Sequence, residues 1–110
     1  MLLTALDGNG VPQQIVVVGQ EALVDHSSTG TGAAVGALGQ NLTRSGYIIQ
    51  NRSHTAQSMF VNDTGTADPV APGSFEVGPG QYFPPPGYPL TTNAISIFAA
   101  NGDSYTVREW

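Results

Sequence analysis

Cysteine and lysine are both absent from this chain, and charge of either sign is scarce. Without thiols there is no disulfide framework, no thiolate nucleophile and no Cys-ligated zinc site. The 110 residues must hold together by packing or by association. Three arginines (Arg44, Arg52, Arg108) stand against eight acids, for a formal net charge of −5. A nucleic-acid binder displaces phosphate counterions with Lys and Arg, so that partner class is excluded, and anionic membranes with it. Charged residues are 10% of the chain, against ~25% in an ordinary soluble domain. The polar surface is therefore Ser, Thr, Asn, Gln and backbone, groups that desolvate more easily than ions. No apolar run approaches membrane-spanning length, and Met1-Leu2-Leu3 leads straight to Thr4 and Asp7 rather than through a basic and then apolar leader. The chain reads as an untargeted product of the cytoplasm.

What is present is β-forming and punctuated by turns. Residues 2–6 are short and apolar, Asp7-Gly8-Asn9-Gly10 is a dense turn signal, and Gln14-Ile15-Val16-Val17-Val18 is β-branched. A hairpin over residues 2–18 is expected. Residues 20–45 are rich in small side chains and have no clear period. Glycine costs about 0.5–1 kcal/mol relative to alanine inside a regular element, so this stretch is expected to be an extended arm that orders against something else.

Further on, strands are expected over Tyr47-Ile48-Ile49-Gln50-Asn51, Gln57-Ser58-Met59-Phe60-Val61, Ser74-Phe75-Glu76-Val77 and Gln81-Tyr82-Phe83. Phe75 and Val77 should face inward and Glu76 outward. Pro84-Pro85-Pro86 cannot donate to a ladder, so it belongs at an edge or in polyproline conformation. Ala94-Ile95-Ser96-Ile97-Phe98-Ala99 puts Ile95 and Ile97 on one face, and Asn101-Gly102 is expected to return the chain beside it as Ser104-Tyr105-Thr106-Val107-Arg108. The predicted fold is all-β: an antiparallel sandwich, jelly-roll-like, in a single domain. Residues 1–45 form its hairpin and arm, and residues 46–110 its compact core.

Each motif that carries chemistry elsewhere has a plainer reading here. Gly30-Thr31-Gly32-Ala33-Ala34-Val35-Gly36 looks like a dinucleotide loop but lacks the βαβ setting that loop requires, so no cofactor is expected. Asn62-Asp63-Thr64-Gly65-Thr66-Ala67-Asp68 offers oxygens at alternate positions, as a calcium loop does. It has no closing bidentate carboxylate and runs into Pro69, so it reads as a solvated turn and no metal is expected. Asp25 and His26 point to opposite sides of an extended segment, and His54 lies in a polar turn, so no catalytic triad is expected. Asn41-Leu42-Thr43, Asn51-Arg52-Ser53 and Asn62-Asp63-Thr64 match the glycosylation sequon, which matters only in a secreted eukaryotic protein. The remaining candidate is an interaction surface of Tyr82, Tyr88, Pro84, Pro85, Pro86 and Trp110. Aromatic rings give large contact area at small entropic cost; alternatively Phe83 and Trp110 are core and the tyrosines its rim.

The order Gly46-Tyr47-Ile48-Ile49-Gln50-Asn51-Arg52-Ser53, Phe60-Val61-Asn62, Ala71-Pro72-Gly73-Ser74-Phe75, Thr92-Asn93-Ala94-Ile95-Ser96-Ile97 resembles small virion structural proteins of tailed bacteriophages, most of all capsid decoration (cement) proteins. The resemblance covers about residues 46–110. It implies a β-sandwich without enzymatic activity on the outside of the virion capsid, docking on the major capsid protein and on itself as a dimer or trimer. A head–tail or tail adaptor, or a module binding a receptor glycan through Tyr82 and Tyr88, are the rival expectations.

Overall fold

The computed structural model describes residues 5–7, 10–13 and 22–110, the first two segments by backbone alone. β1 (Ala5–Asp7) and β2 (Gly10–Gln13) pair antiparallel as a two-stranded hairpin. The strand expected over Gln14-Ile15-Val16-Val17-Val18 lies outside the described residues.

Nine further strands build two antiparallel sheets packed as a β-sandwich. Sheet one has the order β5 (Ala34–Leu38), β10 (Ile95–Phe98), β7 (Met59–Asn62), β8 (Phe75–Val77). Sheet two runs from β3 (Val24–Asp25) and β4 (Ser28–Thr29) through β11 (Ser104–Glu109) and β6 (Tyr47–Arg52) to β9 (Tyr82–Phe83). The period-2 alternation decides which side chains face the core. Leu38, Met59, Val61, Val77, Ile95 and Ile97 come from sheet one; Tyr47, Ile49, Phe83, Tyr105 and Val107 come from sheet two. Ile49, Val61, Ile97 and Val107 are 0% exposed. Each such side chain contributes about 1.5–3 kcal/mol of transfer free energy.

Two expectations are corrected. Strands β10 and β11 do not form a hairpin, because they lie in opposite sheets: β10 pairs with β5 and β7, β11 with β6, β3 and β4. The polar groups of the turn after β10 are taken by the chain near Gly30 instead. Gly32 N donates to Ala99 O, Gly30 N to Asp103 O and Gly102 N to Gly30 O. That interlock also explains Gly30, where an added Cβ would sit 2.3 Å from the Ala100 carbonyl oxygen. The second correction follows from the first. Residues 22–45 are not an arm awaiting a partner; β3, β4 and β5 are edge strands of the sandwich, and Gly30 serves close approach to the turn at Ala100.

The edge along β11 is broken in one place. His26 N donates to Val107 O, but the Val107 N–H is received by the Ser27 hydroxyl at 3.0 Å instead of by a backbone carbonyl. This separates β3 from β4 and turns the His26 ring toward Glu109.

Candidate interaction surface

Acidic groups of the described chain are largely committed inside it. Glu109 ends β11 facing inward and accepts from Arg44 Nε at 2.8 Å and Asn41 Nδ2 at 3.2 Å, while its other oxygen meets His26 Nε2 at 2.8 Å. Arg44, whose side chain is fully buried, spends its remaining donors on the carbonyls of Thr91, Asn93 and Gly39. Burial would raise the Glu109 carboxyl, but Arg44, Asn41 and His26 outweigh it and hold it below the usual glutamate range. Asp103 accepts from the Ser53 and Thr55 hydroxyls, both at 2.7 Å, which lowers its carboxyl; its Oδ1 has no hydrogen-bond partner among the described residues. Because Ser53 donates straight to a carboxylate and His54 is exposed, these neighbours lack the Ser–His contact that nucleophilic catalysis needs.

Asp63 is buried beneath Tyr88, whose hydroxyl donates to it at 2.7 Å. This corrects the reading of a solvated turn: Asn62, Asp63 and Ala67 are buried, while residues 64–66 and Asp68 are exposed. Asp63 also lines an open cleft of about 370 Å³ with Gln40, Thr64, Gly65, Asn93 and Ala94. No group of three metal-ligating side chains occurs among the described residues. Burial, then the Asp63 and Tyr88 charges, push the nearby Tyr47 phenol up to about 12.

The sequon-like triplets have a structural use. Asn41 Oδ1 accepts from the amide and hydroxyl of Thr43, Asn62 Oδ1 does the same for Thr64, and Asn51 Oδ1 accepts from the amide of Ser53. Each is an Asx turn. The side-chain NH2 groups are used as well: Asn51 donates to Gln57 O and Val77 O, Asn62 to Thr66 O and Asn41 to Glu109. Asp25-His26-Ser27 repeats the pattern with a carboxylate. Ser27, followed by Arg108, holds the Asp25 carboxyl at about 2.

The residues singled out as an aromatic surface separate. Tyr82 is exposed, on the outer side of sheet two opposite Gln50. Tyr88 is half-buried on the other side, its ring centroid 5.4 Å from that of Phe83 and 5.5 Å from that of Phe75. Phe75, though on the inward row, keeps part of its ring exposed at the sheet edge. Phe83 is core, Pro84 is half-buried, and Pro85 and Pro86 are exposed beyond edge strand β9, where missing N–H groups cost no ladder bond. Trp110 is half-buried at the far end of β11, stacked over Gly46, where a Cβ would come within 2.5 Å of the indole. These six residues do not make one platform.

The outward row of sheet two does make one. Cross-strand register sets Asp25 beside Arg108 and Ile48, Thr106 beside Gln50 and Tyr82, and Thr29 beside Ser104 and Arg52. Both exposed arginines of the chain stand on this face, with exposed Ile48 and Tyr82 between them. Arg108 pairs with Asp25 at 3.1 Å; Arg52 has no carboxylate partner among the described residues. Sequence reasoning found Tyr82 but missed Ile48, Gln50, Arg52 and Arg108. The signal was the alternation of residues 47–52 and 104–109, which already assigns these side chains to one face. No family model, curated protein or solved structure matches the chain.

Proposed function

We propose that this chain is a structural virion protein of the tailed-bacteriophage decoration type, binding the major capsid protein lattice and associating with itself, with no catalytic activity. The observation that carries the reading is how charge is distributed. Arg44, Asp63, Asp103 and Glu109 are consumed by internal hydrogen bonds that hold loops to one another and to β11, while the outer face of sheet two offers Ile48, Gln50, Tyr82, Arg52 and Arg108. Tyrosine and arginine are the residues on which protein contacts concentrate their binding energy. On a shell, many modest contacts of this kind add through multivalency.

The glycan-module alternative draws less support, since Tyr88 is turned into the core and its hydroxyl is occupied by Asp63. Copy number tests the proposal. In virions of the phage encoding the chain, quantitative mass spectrometry should find it in a fixed, high ratio to the major capsid protein. A handful of copies per particle would indicate an adaptor ring instead, and absence from the particle would overturn the proposal.

A further inference from the structure

The two outer faces of the sandwich carry opposite unpaired charges. On sheet one the outward row runs Ala34, Phe98, Phe60, Glu76 in cross-strand register. Phe60 and Phe98 are half-buried and meet edge to face with ring centroids 6.5 Å apart, beside the exposed Glu76. Among the described residues Glu76 has no cationic partner. On sheet two, exposed Arg52 stands diagonal to exposed Tyr82 across β6 and β9, again without an ion pair. One face is thus aromatic with an unpaired carboxylate, and the other is aromatic with an unpaired guanidinium. Arg44 is buried and Arg108 is already paired, so Arg52 is the one arginine left to answer Glu76.

We propose that the outer face of sheet one in one copy docks on the outer face of sheet two in the next, Glu76 pairing with Arg52 while Tyr82 and Ile48 cover Phe60 and Phe98. This rests on the reading of the sheet-two face as a protein contact and names its occupant as a second copy of the chain. Sheets stack face to face at about 10 Å, which interleaved side chains of this size fill. The contact joins two different surfaces, so it is heterologous and closes into a ring or continues as a stack.

Sedimentation velocity of the purified chain across a wide concentration range is the test. Wild type should show concentration-dependent assembly. Glu76→Arg and Arg52→Glu, both at exposed positions and checked for unchanged melting, should each juxtapose like charges and weaken association about a hundredfold. In an equimolar mixture of the two variants every contact between unlike copies is complementary, so assembly should be restored by alternation of the two. A wild type that stays monomeric, single variants that assemble as wild type does, or a mixture no better than its components would each overturn the contact. The virion measurement is separate: a chain abundant in particles but monomeric when pure sinks this contact and spares the decoration proposal, and the reverse result does the opposite.

Discussion

The inner faces of the two sheets solve different problems. Sheet one turns only apolar side chains to the core: Leu38, Met59, Val61, Val77, Ile95 and Ile97. Sheet two has an apolar middle of Ile49, Val107 and Phe83 but buries Asn51 toward one end and Glu109 at the other. Hydrocarbon contacts are non-directional: an apolar row fixes which side of a strand faces inward but asks no particular geometry of its neighbours. A buried amide or carboxylate is satisfied in one geometry only. Asn51 ties β6 to the carbonyl of Val77 across the sandwich, and Glu109 ties β11 to the segments holding Asn41, Arg44 and His26. Both sheets supply apolar area for collapse, and sheet two adds the buried polar groups that select which collapsed arrangement is native.

If that division holds, the largest effect comes from charging sheet one. Ile97 is fully buried in central strand β10, between Val35 and Val61. Ile97→Asp places an unpaired carboxylate there, at several kcal/mol, and no cooperative melting transition should remain. A normal melting curve would show that this row of sheet one does not face the core.

Next in size is Arg44→Met, which strands Glu109 in the core and leaves the carbonyls of Thr91, Asn93 and Gly39 without their donor. Breaking one side of a buried pair costs about 3–5 kcal/mol. Adding Glu109→Leu to that variant should recover a substantial part of the loss, because the stranded charge goes with it. Denaturant midpoints of the two variants measure this. Asn51→Ala comes third, at about 3 kcal/mol, since the carbonyls of Gln57 and Val77 both lose a donor. A loss within error for Asn51→Ala would remove the polar half of the comparison.

Legibility in the sequence followed the same division. Apolar and β-branched runs over residues 47–51, 57–61, 94–99 and 104–108 announced the long strands, and alternation gave the inward faces of Ile95 and Ile97 and of Phe75 and Val77, because burial on one side leaves a period of two. β3 and β4 are two residues each, too short for any period, and β5 contains Gly36 and a register shift in its pairing with β10. The Asn101-Gly102 signal was real, since Gly102 takes positive φ. A turn, however, specifies reversal of direction, not which neighbour the returning strand pairs with. That choice depends on Gly30 reaching the turn from seventy residues away along the chain, a non-local contact no short pattern encodes. The buried network was hidden for a related reason: nothing local distinguishes Arg44, which is enclosed, from Arg52, which is not.

The smallest effect separates the sheets by pH. Glu109 titrates in the folded state below its ordinary value, so the native form binds fewer protons there than the unfolded form. Its contribution is complete above the ordinary glutamate range and is lost as pH falls through the lowered value. Asp25 and Asp103 act in the same direction. Tyr47 and Tyr105, also on sheet two, have raised phenols, so their contribution is present below the ordinary tyrosine range and lost as pH climbs through the raised values, for Tyr47 about 12. Sheet one's inner face contains no titratable group. Denaturant midpoints should therefore fall at both extremes, more gently than in Arg44→Met, because a protonated Glu109 still forms hydrogen bonds and leaves no cavity. Glu109→Gln should make the acid limb shallower, with the remainder coming from Asp25 and Asp103, and leave the alkaline limb unchanged. If the acid limb keeps its full slope in that variant, Glu109 is not a source of the pH dependence.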